Sequence, residues 1–299
     1  MTDVLDKDDF CYPQLNSSCR VPTQPYVEAM LIYVLLSCIS LITVALNLLV
    51  IISISHFRQL HTRTNLFLLS LAVTDLLVGL LLMPVEIIYI ETCWNLGDVA
   101  CIVYYIADYV ITSASVGSMV LISIDRYIAI CDPLNYNTKI EPLGLSNSCV
   151  GECVVIINYI SGAIDLVCTF IIPILVIVIL YLRVFVVAMS QARAMRSHVS
   201  AHMPQTQTVS TKKELKAART LGIVVVVFLC CFCPYYSPSL VGEDTAVDAS
   251  SVDVEIWLAH FNSCLNPVIY VFFYPWFRKS IKLILTMQIL NKRSLYLNV

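Results

Sequence analysis

Stretches of about 20 mostly apolar residues recur along the chain near 27–55, 65–90, 101–124, 158–182, 220–242 and 254–274, separated by polar segments. Each is long enough to cross a hydrocarbon layer of about 30 Å as an α-helix. The pattern predicts an all-α membrane protein. It comprises a polar tail over 1–26, a bundle over 27–274 and a short amphipathic helix with its tail over 275–299. With their polar ends included, the helices run near 27–55, 65–90, 98–130, 156–187, 213–242 and 253–274. Between the third and fourth stretches, 132–153 (DPLNYNTKIEPLGLSNSCVGEC) contains no apolar run, and 154–187 is read as one long helix with an outer extension.

Composition supports this reading. A chain that is 59% hydrophobic and only 13% charged has too few charges to coat a soluble protein of 299 residues. The front is polar and acidic and does not read as a cleaved leader, so the first span serves as the insertion signal. Of the 18 lysines and arginines only Lys7 and Arg20 precede the first span, and the others cluster at alternate span ends. The positive-inside rule then places the N-terminus outside. The outer segments carry acids instead, with Glu91 and Asp98 before the third span and Glu243, Asp244, Asp248, Asp253 and Glu255 before the last, a mouth that concentrates cations. Asn16-Ser17-Ser18 is a glycosylation sequon in the same tail. Of the 13 cysteines, Cys11, Cys19, Cys149 and Cys153 fall outside and Cys101 starts the third span, while the rest are read as small apolar fillers within the membrane.

An α-helix rises about 1.5 Å per residue, so the boundary arginines measure depth. Asp108 lies 18 positions before Arg126, Asp165 18 before Arg183, His260 18 before Arg278, and Tyr236 17 after Arg219. All four therefore sit about 26 Å from that boundary. A deeper layer holds Asn47, Asp75, Ser115 and Asn266, each 11 or 12 positions from its arginine. Ionisable groups at such depths cost several kcal/mol unless they face the bundle interior with a partner. Asp108 and Asp165 have no lysine or arginine in the spans to neutralise them, which implies protonation or a cationic ligand. Asn47, Ser115 and Asn266 read equally as hydrogen-bond glue between helices. No nucleophile–base set, phosphate loop or metal-spaced cluster appears, so the chain is not read as an enzyme or metal protein.

The motifs point to one family. Asp125-Arg126-Tyr127 ends the third span, Asn266-Pro267-Val268-Ile269-Tyr270 lies in the last, Leu71-Ala72-Val73-Thr74-Asp75 in the second, Pro173 and Tyr181 in the fourth stretch, and Cys231-Phe232-Cys233-Pro234 in the fifth. These resemble the DRY, NPxxY, LAxxD, fifth-helix and CWxP motifs of rhodopsin-like G-protein-coupled receptors. NSCLNPVIYVFFYPWF at 262–277, with KAARTLG at 216–222, resembles the trace amine-associated receptors among them.

The resemblance implies a rhodopsin-like bundle at the plasma membrane that binds a small amine, is surrounded by lipid and works with a heterotrimeric G protein, of Gs type by family, with no nucleic acid partner. It gives Asp108 the role of ammonium ligand, and Asn47, Asp75, Ser115, Asn262 and Asn266 that of a sodium-sensitive polar core. It makes Asp125, Arg126, Tyr127, Tyr181, Phe232, Pro234, Pro267 and Tyr270 switch residues. Glu214 is read as a partner of Arg126 in an inactive latch. Asp165 suggests a diamine or a polar amine tail, against the alternative that it is protonated or bonded to a nearby hydroxyl and the ligand is a monoamine. Tyr104, Tyr105, Thr112, Tyr235, Tyr236 and Trp257 supply walls for the cation. The resemblance also implies disulfides Cys101–Cys153 and Cys19–Cys149, with Cys11 a competitor in the second.

The chain departs from the pattern in three places. Phe232 stands where the family has a switch tryptophan, and His260 where it usually has tyrosine. His260 is read as a packed neutral histidine or a bond to Asp108. The third departure is the missing fourth span, placed by a deletion near 141–144. A truncated, misfolded or non-signalling product is thus the alternative reading, ahead of an ion-coupled transporter.

Overall fold

The computed structural model describes residues 10–12, 14–15, 18–19, 26–89, 92–131, 154–157, 163–197, 222–236, 245–248 and 254–286. Seven helices are labelled among them. α1 is Tyr26–His56, α2 Arg63–Tyr89, α3 Gly97–Cys131, α4 the run 163–197, α5 Gly222–Tyr236, α6 Val254–Phe273 and α7 Pro275–Leu285. Five of them, α1, α2, α3, α4 and α6, are long and apolar enough to cross a membrane, and α5 is a shorter apolar helix. The architecture is a helical membrane bundle, as the apolar pattern predicts.

The helices assemble as a bundle in lipid must, with apolar side chains on both their inner and outer faces. Val50, Ile54, Leu68, Leu71, Met119, Ile122, Ile177, Phe228 and Phe232 fill the interior. Leu31, Leu35, Leu41, Leu80, Val103, Leu175 and Val226 stay exposed on the outside, where hydrocarbon rather than water would meet them. α1 and α2 approach closely at Gly79. A Cβ there would come within 3.0 Å of Thr43 Cγ2, and the Ser40 hydroxyl donates to the Gly79 carbonyl at 2.9 Å.

Three prolines shape the interior. Val78–Leu82 in α2 and Leu166–Ile171 in α4 wind as π-helix, just ahead of Pro84 and Pro173. Proline lacks an N–H and crowds the carbonyl four residues back, and a widened turn relieves that crowding. In α6, Pro267 leaves the Ser263 carbonyl without its helical partner, and Asn47 of α1 donates its Nδ2 to that oxygen at 3.0 Å. After Phe273 the chain breaks at Tyr274, restarts with Pro275 at the first turn of α7, and buries Phe277 completely. Arg278 closes the break by donating Nη1 to the carbonyls of Val271 and Phe272.

Two expectations are corrected. Val154–Ile157 is not the start of a long helix but a strand, β1. It pairs antiparallel with β2, Thr245–Asp248, in the acidic segment before α6. β-branched residues (VVII) favour the extended pairing over a helical extension. The helix that follows is assigned from Ala163. The second correction concerns Cys93, read as an intramembrane filler. It lies in the loop before α3 and is bonded to Cys11, so Cys11 does not compete for Cys19. Cys19 and Cys101 are also disulfide-bonded. Cys149 and Cys153, the segment 132–153, the sequon at Asn16 and Glu214 lie outside the described residues.

Candidate functional site

Two polar clusters lie inside the bundle. The inner one surrounds Asp75 of α2, which has no exposed surface. Asn266 of α6 donates Nδ2 to Asp75 Oδ2 at 2.9 Å, and Ser115 of α3 donates to Oδ1 at 3.4 Å. Asn47 donates to the carbonyls of Thr43 and Ser263. Among the described residues, the buried Oδ1 atoms of Asn47 and Asn266, both amide atoms of Asn262 and the Tyr270 hydroxyl have no protein partner. Buried groups left unpaired are where an ordered water or ion belongs.

The outer cluster centres on Asp108 of α3, whose side chain is 22% exposed. His260 of α6 brings Nε2 to 3.1 Å from Asp108 Oδ1, and Thr112, one turn below on α3, donates to the same oxygen at 3.4 Å. The other ring nitrogen of His260, Nδ1, is 3.3 Å from Oε2 of Glu86 on α2. Tyr104 of α3 donates its hydroxyl to Glu86 Oε1 at 2.9 Å. Trp257, one turn before His260, packs with Leu36, Val78, Leu82, Met83 and Ile111 and stands edge-on to the imidazole, ring centres 6.4 Å apart. Tyr104 and Tyr105 meet edge to face at 5.4 Å.

Asp165 belongs to a different group of partners. It ends the first short turn of α4, and Thr169 donates to its Oδ1 at 3.0 Å as well as to its carbonyl at 2.7 Å. The Thr169 hydroxyl also lies 2.8 Å from that of Tyr236 on α5. Tyr109 of α3 bonds the Asp165 carboxyl too. Phe170 stacks on Tyr236 at 4.6 Å, and Tyr235 meets Tyr236 edge-on at 4.9 Å. Hydroxyls on α3, α4 and α5 are thereby gathered around the second carboxylate.

At the far end of α3, Thr64 of α2 donates to Asp125 Oδ2 at 2.5 Å. Arg126 and Tyr127 lie on α3 and Tyr181 on α4, but their side chains are outside the described residues. Phe232 is buried in the main core, Pro234 lies in α5, and Tyr270 is buried against Tyr274 and Phe277. Glu86 is the residue that sequence reading passed over, although its signal was available as an acid within the second apolar run.

Comparison with known proteins supplies the lineage. The model of the seven-transmembrane receptors of the rhodopsin family matches residues 46–164 and 144–270. Trace amine-associated receptor 5 of Rattus norvegicus is 37% identical over 321 positions, covering 95% of this chain and 93% of that receptor. The chain belongs to the trace amine-associated receptors. Trace amine-associated receptor 13c of Danio rerio is 35% identical over 335 positions, covering 98% and 97%, and trace amine-associated receptor 1 of Mus musculus 37% over 301, covering 88% and 91%. The receptor is thus a multi-pass membrane protein and not an enzyme. Its family implies a small-molecule ligand and a heterotrimeric G protein.

Proposed function

We propose that the chain is a cell-surface amine receptor in which Asp108 binds the ligand ammonium. The observation that carries this reading is the state of its carboxylate. Asp108 lies in the outer part of the bundle, is 22% exposed, and is met on Oδ1 by His260 and Thr112, with Glu86 and Trp257 on the far side of His260 and Tyr104 on Glu86. A partly exposed carboxylate inside a low-dielectric bundle suits an ammonium group through charge, and the rings of Tyr104 and Trp257, which meet Glu86 and His260, would add cation–π attraction. Asp165 gives a second carboxylate, and a diamine or a polar amine tail spanning towards Thr169 and Tyr236 is the ligand class we favour. The hydroxyls already on Asp165 are the argument for a monoamine instead.

The N-terminus is extracellular in this reading. The arginine and lysine distribution supports it, as does the Cys11–Cys93 bond, because disulfides persist on the oxidising side. The unpartnered oxygens of Asn47 and Asn266 beside Asp75 suit a hard monovalent cation such as sodium as a modulator. Coupling to a Gs-type protein is expected through the Arg126 end of α3.

A second reading is favoured by one specific observation. The alignment with the rat receptor has 321 positions, but 95% of 299 residues is about 284, so roughly 37 positions hold no residue of this chain, enough for one span of about 20 residues and a loop. With no apolar run over 132–153, this supports a receptor product that lacks the fourth helix and does not signal.

One experiment separates the two. The chain is expressed as it stands and with a fourth helix inserted between 141 and 144, surface copies are labelled, and cAMP is read against mono- and diamines. The amine reading predicts responses from the restored receptor, and its silence towards every amine despite surface delivery would contradict that reading. The truncation reading predicts that the chain as it stands is retained or silent.

A further inference from the structure

His260 lies between two acids from different helices, 3.3 Å from Glu86 and 3.1 Å from Asp108, and is itself 4% exposed. Each contact needs one proton between its heavy atoms. An imidazolium can donate from both nitrogens to two carboxylates, or a neutral imidazole can donate once and accept once from a protonated carboxyl. Both assignments give the three groups a net charge of −1, not the −2 that two free acids would present. The three residues therefore behave as a single anion, and Asp108, with 22% of its side chain exposed against 9% for Glu86, is its accessible end. Tyr104 donates to Glu86 Oε1, which turns Oε2 towards the imidazole. Thr112 and His260 share Asp108 Oδ1, fixing the carboxylate from the side of α3 and α6.

We propose that Glu86 is a positioning residue of the amine site, acting through His260 to hold Asp108 in orientation and to limit this end of the pocket to one ammonium. The inference rests on Asp108 being the ammonium ligand. It makes a separable prediction about chemistry at Glu86. Glutamine there can accept from Tyr104 with its oxygen and donate to His260 Nδ1 with its nitrogen, leaving Nε2–H to donate to Asp108. All the bonds and the net charge of −1 survive. Leucine offers similar bulk and neither bond. If Glu86 instead bound a ligand ammonium itself, glutamine and leucine would do equal damage.

The test uses the full chain with the fourth helix restored and n-butylamine as probe, with potency measured for wild type, Glu86→Gln, Glu86→Leu, His260→Phe and the double variant Glu86→Leu/His260→Phe. Glu86→Leu should weaken potency about tenfold and Glu86→Gln less than about threefold, and Glu86→Leu should add nothing once His260 is phenylalanine, the coupling expected of groups in one network. Equal losses for glutamine and leucine, or additive losses in the double variant, would overturn the proposal. A second measurement needs no ligand: the ring-nitrogen NMR signals of His260 in 15N-histidine-labelled receptor, assigned with His260→Phe. They should move in Glu86→Leu, and signals that stay put overturn the proposal. If they move while the wild type ignores butylamine and every other amine, the three-residue chain stands and the amine reading falls.

Discussion

Asp75 and Asp108 are both aspartates inside the same bundle, yet their surroundings differ in kind. Asp75 is fully buried and is met by the neutral donors Asn266 and Ser115, with unpaired amide oxygens of Asn47 and Asn266 nearby. Asp108 keeps 22% of its side chain exposed and is met by an imidazole that is in turn tied to another acid. Neutral donors and spare oxygens in a closed site suit a small cation that adjusts the bundle. An accessible carboxylate with a polarised partner suits a ligand that arrives and leaves. Under the proposed roles, depth in the membrane separates modulation from recognition.

The comparison breaks most visibly if Asp108 is removed. Asp108→Asn should cost an amine ligand about 3 kcal/mol or more, on the order of 100-fold in potency, with surface copies unchanged. Asp165→Ala should weaken diamines by about tenfold and monoamines much less, since only the second ammonium loses a partner. Equal losses for the two ligand classes would remove the two-carboxylate idea. Asp75→Asn should leave amine potency within several-fold but abolish any dependence of that potency on sodium concentration, measured against potassium at constant ionic strength. Cys93→Ser should change amine potency least, by under about threefold, while lowering the thermal midpoint of the purified receptor, because the bond closes a long loop outside both clusters.

Much of the bundle was legible because helical arithmetic works where helices are regular. Counting from the boundary arginines puts Asn47, Asp75, Ser115 and Asn266 at one level, and Asp108, Asp165, Tyr236 and His260 at another. Asp75 bonds Ser115 and Asn266, and Asp108 meets His260, whereas Asp165 and Tyr236 share Thr169 in a separate group. The same count cannot pass through the π turn at Val78–Leu82, which shifts the phase of everything beyond it, so the direction of Glu86 was hidden. Asp165 sits at the mouth of the second π turn, and its bonds to Thr169 and Tyr109 join neighbours that spacing alone does not rank. Cys93 was missed because disulfide connectivity depends on where a loop returns, not on residue type. The strand pair forms across the 87 positions from 158 to 244 for the same reason, since Val154 and Asp248 meet only once the segments between them have packed. Pro267, by contrast, was readable as a motif. Its physical consequence, a freed Ser263 carbonyl that takes Asn47, required the neighbouring helix.

Whether Asp108 is the ligand's anchor is tested most directly by a matched pair of dose–response curves. Receptor with its fourth helix restored and labelled at the surface is challenged with n-butylamine, alongside Asp108→Asn at equal surface density. A cAMP response from the first and its loss, by on the order of 100-fold or more, from the second is the predicted result. An undiminished response from Asp108→Asn would contradict the account.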